Sequence, residues 1–225
     1  MPTTDSIPAG ALDDAPDGVG SAARAVGLNG YMTEIADVPA AARASVAALA
    51  GYTDLGWQHV PAADLEWSCW QTTLRMVDCL YFYAMQVVYG DPDTYLCTEL
   101  ALDDSASPPR LMAALTAHAE LLHRIAGSAD PGVRAHHNYG VSDAAGFAAM
   151  GVVETLIHTF DVVRGLNPAD PWRPPGELAA PVIARLFPRA PDGEPADVLL
   201  YCCGRASLRE LPQQAQWRWD GTVRT

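Results

Sequence analysis

The stretch from Trp67 to Tyr89 constrains this chain most. It is interrupted by neither Gly nor Pro, and Leu74, Val77, Leu80, Tyr81, Ala84 and Val88 recur mostly three or four residues apart. That spacing gathers apolar side chains on one face of an α-helix and predicts an amphipathic helix that ends at Gly90-Asp-Pro. Such a helix must bury its stripe against partners, and the rest of the chain supplies them. A helix is expected from about Pro39 to Ala50. Another opens at Ser107-Pro108 and runs to about Ala126, stopped by Gly127. A long one is capped by Ser142 or Asp143, reaches Arg164 and is closed by Gly165. Leu178–Leu186 reads as a shorter helix. Tyr95–Leu102 reads as a short strand or the start of a turn, and Gly51–Glu66 and Pro168–Pro175 as connections. The tail beyond carries no helical pattern except a turn around Val198. With no alternation of strands and helices, the fold class is all-α: an up-down four-helix bundle with short extra helices and an irregular C-terminal tail.

Residues 1–30, rich in Gly, Pro, Ala and Asp, read as a flexible N-terminal arm, and residues 31–225 as the bundle domain. The 225 residues hold 49% apolar and 18% charged side chains, enough for a core and incompatible with a disordered chain. The 14 basic residues are all Arg, against 27 acidic ones, for a net charge of −13. That balance argues against nucleic acid or an anionic membrane as partner. No secretory signal and no apolar run of membrane-spanning length is expected, so the reading is cytoplasmic. The five Cys (69, 79, 97, 202 and 203) are odd in number and fit no zinc-ribbon spacing, so they read as reduced thiols.

Ionisable residues within the best helices are the candidates for chemistry. Glu154 and His158 lie four apart on one face, with Asp161 three further on the same stripe. A Glu-xxx-His pair among apolar neighbours can give two ligands to a metal that needs a third from elsewhere; equally, it can be a His satisfied by its own Glu. Arg75 and Asp78 share a face of the earlier helix. They read either as a salt bridge setting bundle register, with Arg75–Glu154 as the alternative pair, or as an anion clamp for a carboxylate. In the loop before the late helix, His137 is a candidate acid or base, against solvent exposure as the alternative. Catalysis by a thiol carries little weight.

The run Trp67-Ser-Cys69, Thr72, Asp78, Leu80, Tyr83-Ala84 and Gln86 resembles the first signature of the DinB-like, mycothiol-dependent maleylpyruvate isomerase N-terminal family. The run Arg134, His137, Tyr139-Gly140, Asp143, Gly146-Phe147, Met150-Gly151, Glu154, His158, Asp161 and Gly165-Leu166 resembles its second. Ala184–Pro188, Leu199-Leu-Tyr201, Gly204-Arg205 and Trp217-Arg-Trp219 resemble the C-terminal part of single-domain members. The resemblance spans about residues 32–220. It implies a DinB-like bundle and a divalent metal, often zinc, held by one His of the early helix together with Glu154 and His158. Here the early His falls on Arg75, which is no metal ligand. A shifted register would put Asp78 in that role, for a set of Glu154, His158 and Asp78.

The resemblance with this replacement implies a metal-independent small-molecule enzyme without bound cofactor. Arg75, with Asp78 and Tyr139, would bind an anionic or carbonyl-bearing substrate. Glu154, His158 and His137 would move protons in an isomerisation, addition, elimination or cyclisation of specialised metabolism. The alternatives are a zinc- and mycothiol-dependent S-transferase or isomerase, and a non-catalytic ligand-binding descendant. Homodimerisation through helix faces is compatible with each.

Overall fold

A computed structural model describes residues 35–223; the predicted arm, residues 1–30, lies outside them. Six α-helices follow in order: α1 (Asp37–Leu49), α2 (Cys69–Tyr89), α3 (Pro108–Ser128), α4 (Ala144–Leu166), α5 (Gly176–Leu186) and α6 (Pro195–Cys202), with a 3-10 turn at Ala50–Tyr52 after α1. The described residues contain only isolated β-bridges and no strand. The all-α class is therefore what the chain adopts.

Helix α2 begins two residues later than its apolar pattern. Ser68 caps it reciprocally with Gln71: the Ser68 hydroxyl accepts the Gln71 N–H, and the Gln71 side chain accepts the Ser68 N–H. At its other end Gly90 adopts φ 63°, a left-handed cap that glycine tolerates without steric cost. Asp143 caps α4 by accepting the Gly146 N–H at 2.7 Å, which decides between the two capping candidates. Tyr95–Leu102 is irregular rather than a strand.

Two predicted stops are passed over. Helix α3 runs through Gly127 to Ser128 and α4 through Gly165 to Leu166. The reason for Gly165 is a close approach: a Cβ there would lie 2.2 Å from the carbonyl oxygen of Pro61. The third correction is α6, where a single turn was expected. Pro195 occupies its first turn, and the Glu194 carboxylate accepts the N–H groups of Ala196 and Asp197.

Helices α1 and α2 each pack against α3 and α4, while α5 joins α4 to α6. The main core is built from α2 (Met76, Leu80, Tyr83), α3 (Leu115, Leu122) and α4 (Phe147, Met150, Leu156), with Leu186 and Leu199 closing it on the α5–α6 side. A second cluster holds Leu49, Trp57, Val162 and Val163. By length and composition α4 alone among the described helices reaches the range of a membrane span, contrary to expectation. It is buried along most of its length within the bundle. The tail after α6 is irregular yet docked. The Asp220 N–H donates to the Leu186 carbonyl, and the Gly221 N–H donates to that of Tyr139. Trp219 is thereby buried next to the loop that precedes α4.

Candidate functional site

Three elements meet over the middle of α4. Helix α2 presents Arg75, Cys79 and Tyr83 four residues apart, hence on one stripe. Helix α4 presents Glu154, His158 and Asp161, also on one stripe. The turn after α6 brings in Arg205. The result is a line of alternating charge. The Tyr83 hydroxyl donates to Glu154 Oε1 at 3.3 Å. Glu154 Oε2 lies 3.0 Å from His158 Nε2. His158 Nδ1 lies 3.2 Å from Asp161 Oδ2. Arg205 closes the line as a fork, its Nε donating to Asp161 Oδ1 at 3.0 Å and its Nη2 to Oδ2 at 2.7 Å. Its guanidinium also lies 5.4 Å over the Trp217 ring.

These partners fix the protonation states. Both ring nitrogens of His158 face carboxylate oxygens, so both must donate, and the ring is an imidazolium. Burial opposes that charge. Hydrogen bonds to Asp161 and Glu154 outweigh it and hold the His158 pKa up at about 9. Burial likewise works against the Glu154 carboxylate, but the bond from His158 and the charges of His158 and Arg75 bring it down to about 2. Asp161, pushed up by burial, is pulled below its ordinary value by His158 and Arg205. Burial and then the Glu154 charge push the Tyr83 phenol well up, so it stays a donor. The same two causes raise the buried Cys79 thiol, which is an unreactive neighbour. Glu154 and His158 each keep 13% of their side-chain surface open to solvent, whereas Asp161 keeps 2%.

Arg75 and Asp78 form the salt bridge that their spacing allowed, at 3.1 Å. Nearly half of the Arg75 side chain is exposed. Arg75 makes no direct bond to Glu154, yet its charge contributes to keeping that carboxylate ionised. His137 sits on the inner side of its loop, with ring centroids 6.1 Å from Tyr83, 5.5 Å from Tyr139 and 5.8 Å from Trp219. Its Nδ1 accepts the Tyr139 N–H at 3.1 Å, and burial lowers its pKa to about 4. It is therefore neutral at ordinary pH, with its one proton on Nε2. Tyr139 acts as a wall of this cage and lies apart from the Glu154–His158 pair.

Among the described residues no three His, Cys, Asp or Glu side chains converge in metal-binding geometry. The donor set explains this. His158 has no free lone pair, Glu154 is engaged by His158 and Tyr83, and Asp78 is tied to Arg75. The arrangement does not fit the divalent ion that the DinB resemblance implies.

Sequence reasoning found Glu154, His158, Asp161 and Arg75 as individual candidates. It missed Tyr83, Cys79 and Arg205 as partners in one network. The signal lay in the 75-79-83 spacing on α2, which matches the 154-158-161 stripe on α4. Arg205 had no such signal, since only the packing of the tail brings it to Asp161. No family model, curated protein or solved structure matches the chain.

Proposed function

We propose that the chain is a metal-independent small-molecule enzyme on a DinB-like four-helix bundle, acting on an anionic, carbonyl-bearing substrate. One observation carries this reading: His158 is bonded at both nitrogens by Glu154 and Asp161, which leaves Glu154 as the ionised, partly open base of the centre. His158 then acts as fixed positive charge rather than as a second base. It occupies the electrostatic role that a cation takes in the resembled family.

The remaining groups sort by what they carry. Arg75 has a half-exposed guanidinium beside Glu154 and offers a fork to a substrate carboxylate or enolate. The Arg75 and His158 charges stabilise the enolate that forms, which lets the Glu154 carboxylate, held down at about 2, take a proton from a carbon next to a carbonyl and return it elsewhere on the same molecule, an isomerisation that needs no co-reactant. The buried Tyr83 hydroxyl holds Glu154 in place, and neutral His137 supplies a hydrogen-bond donor through Nε2. Addition, elimination and cyclisation use the same proton transfers.

The test has two arms. Wild type and Arg75→Ala are screened by thermal shift against maleate, fumarate, pyruvate, acetoacetate and related keto acids. A rise in Tm with at least one acid, lost in Arg75→Ala, is expected. Each acid that binds is then incubated with the protein in D2O and followed by NMR. Deuterium enters next to the carbonyl with wild type and not with Glu154→Gln. Exchange that persists in Glu154→Gln removes that residue from the mechanism. A screen without any shift supports a non-catalytic descendant, and a stoichiometric divalent metal in the purified protein restores the metal-dependent thiol-transferase reading.

A further inference from the structure

A second concave region lies away from the charged line. A cleft of about 790 Å³ opens between the C-terminal end of α5, helix α6 and the docked tail. Its volume suits a small organic molecule. Four aromatic side chains stand in its walls: Tyr139, Phe187, Tyr201 and Trp219. None of Arg75, Tyr83, Glu154 or His158 lines it.

Charge gives the cleft its direction. Arg189 and Arg218 both line it. Neither makes an ion pair or a hydrogen bond among the described residues, whereas Arg75, Arg110, Arg124, Arg173, Arg185 and Arg205 each hold an acid. In a chain of net charge −13, two uncommitted guanidinium groups at one cleft are a local reversal of sign. One acidic residue, Asp220, also lines the cleft and accepts from the Thr222 N–H and hydroxyl, so the cleft carries two cations against one acid. A further unmet group sits in the wall. Trp219 is 5% exposed, and its indole N–H is buried without an acceptor. Aromatic side chains in the wall favour a planar molecule, and the two cations favour a carboxylate.

We infer that this cleft is a binding site for a planar aromatic carboxylate, separate from the Glu154 centre. Tyr139 and Trp219, packed edge to face with centroids 5.6 Å apart, form one wall against which the ligand's apolar part lies, and Arg189 with Arg218 holds its carboxylate. The inference uses no step of the proposed reaction, although Tyr139 and Trp219 also pack on His137.

The experiment is calorimetric titration of the full chain with 2-naphthoate, 2-naphthamide and cyclohexanecarboxylate. Naphthoate saturates one site below millimolar concentration, and the neutral amide and the non-planar acid bind at least tenfold more weakly. Arg189→Ala/Arg218→Ala, altered only at exposed positions, weakens naphthoate at least tenfold. In a 15N–1H spectrum the Trp219 indole resonance, assigned through Trp219→Phe, moves with naphthoate. Arg75→Ala leaves the affinity unchanged; a loss there assigns the signal to the Glu154 centre and overturns the inference. So does equal affinity for naphthoate and its amide, an unaffected double variant, a stationary Trp219 resonance, or no binding of naphthoate at millimolar concentration.

Discussion

The line from Glu154 to Arg205 and the cleft under Arg189 and Arg218 treat charge in opposite ways. In the first, each ionised group is bonded to its neighbour and little of it is open to water. In the second, the cations are exposed and hold no acid among the described residues. Charges that satisfy one another organise a fold; charges left over are available to a visitor. Buried, bonded side chains therefore need not be where a molecule of this type keeps its binding capacity.

The comparison breaks first at Asp161, which holds two cations at once. Asp161→Ala leaves Arg205 without an acid and His158 with Glu154 alone. It is expected to cost about 3–5 kcal/mol, read from chemical denaturation, because a buried charge loses its partner. A loss below about 1 kcal/mol would mean that the line contributes little to the fold. Next in size is Gly165→Ala. Its new methyl meets the Pro61 carbonyl oxygen, and overpacking of this kind costs about 1–3 kcal/mol.

The pH dependence follows in size, at most about 1.4 kcal/mol per pH unit for each group. His158, raised to about 9, contributes stability that is full below its ordinary value near 6.5 and lost as pH rises through 9. Glu154, lowered to about 2, contributes stability that is full above about 4.5 and lost as pH falls toward 2. His137, lowered to about 4, is neutral in the fold and charged in the unfolded chain, so it costs stability as pH falls from 6.5 to 4. Denaturation midpoints should therefore peak near pH 6.5 and decline on both sides. In Glu154→Gln the His158 resonances titrate below pH 9 and the alkaline limb flattens. An unshifted titration would show that Asp161 alone holds the imidazolium. Smallest are Arg189→Ala and Arg218→Ala, each expected within about 0.5 kcal/mol of wild type by the same denaturation assay, since surface charges without partners add little. A larger loss would reveal that these groups hold the fold after all.

The helices were legible wherever an apolar stripe met a capping signal, as in α2 and α4. Gly165 was misread because glycine marks two different things, a helix end or a close neighbour, and only the packing of Pro61 on α4 separates them; Gly127 has no close neighbour and falls one residue inside the end of α3. Helix α6 was hidden by its brevity, although Glu194 and Pro195 announced its start. For the site, spacing within a helix gave Glu154 with His158 and Arg75 with Asp78. It did not give the protonation of His158, which depends on Asp161 and Glu154 reaching opposite nitrogens. Nor did it give the aromatic cage around His137, whose Trp219 lies far away in sequence.

The segment between the 3-10 turn and α2 is fastened by its own backbone. Ala62 N–H meets the Trp67 carbonyl, Cys69 N–H meets that of Val60, and Trp70 N–H meets that of Trp57. Main-chain bonds do not depend on which side chains hang from them. Evolution can thus respell the exposed Asp64, which borders a hollow ending at Asp161 and Arg205, while the path of that segment stays as it is. The hollow becomes a place where new specificities can be tried at low risk to the fold, provided position 165 remains glycine.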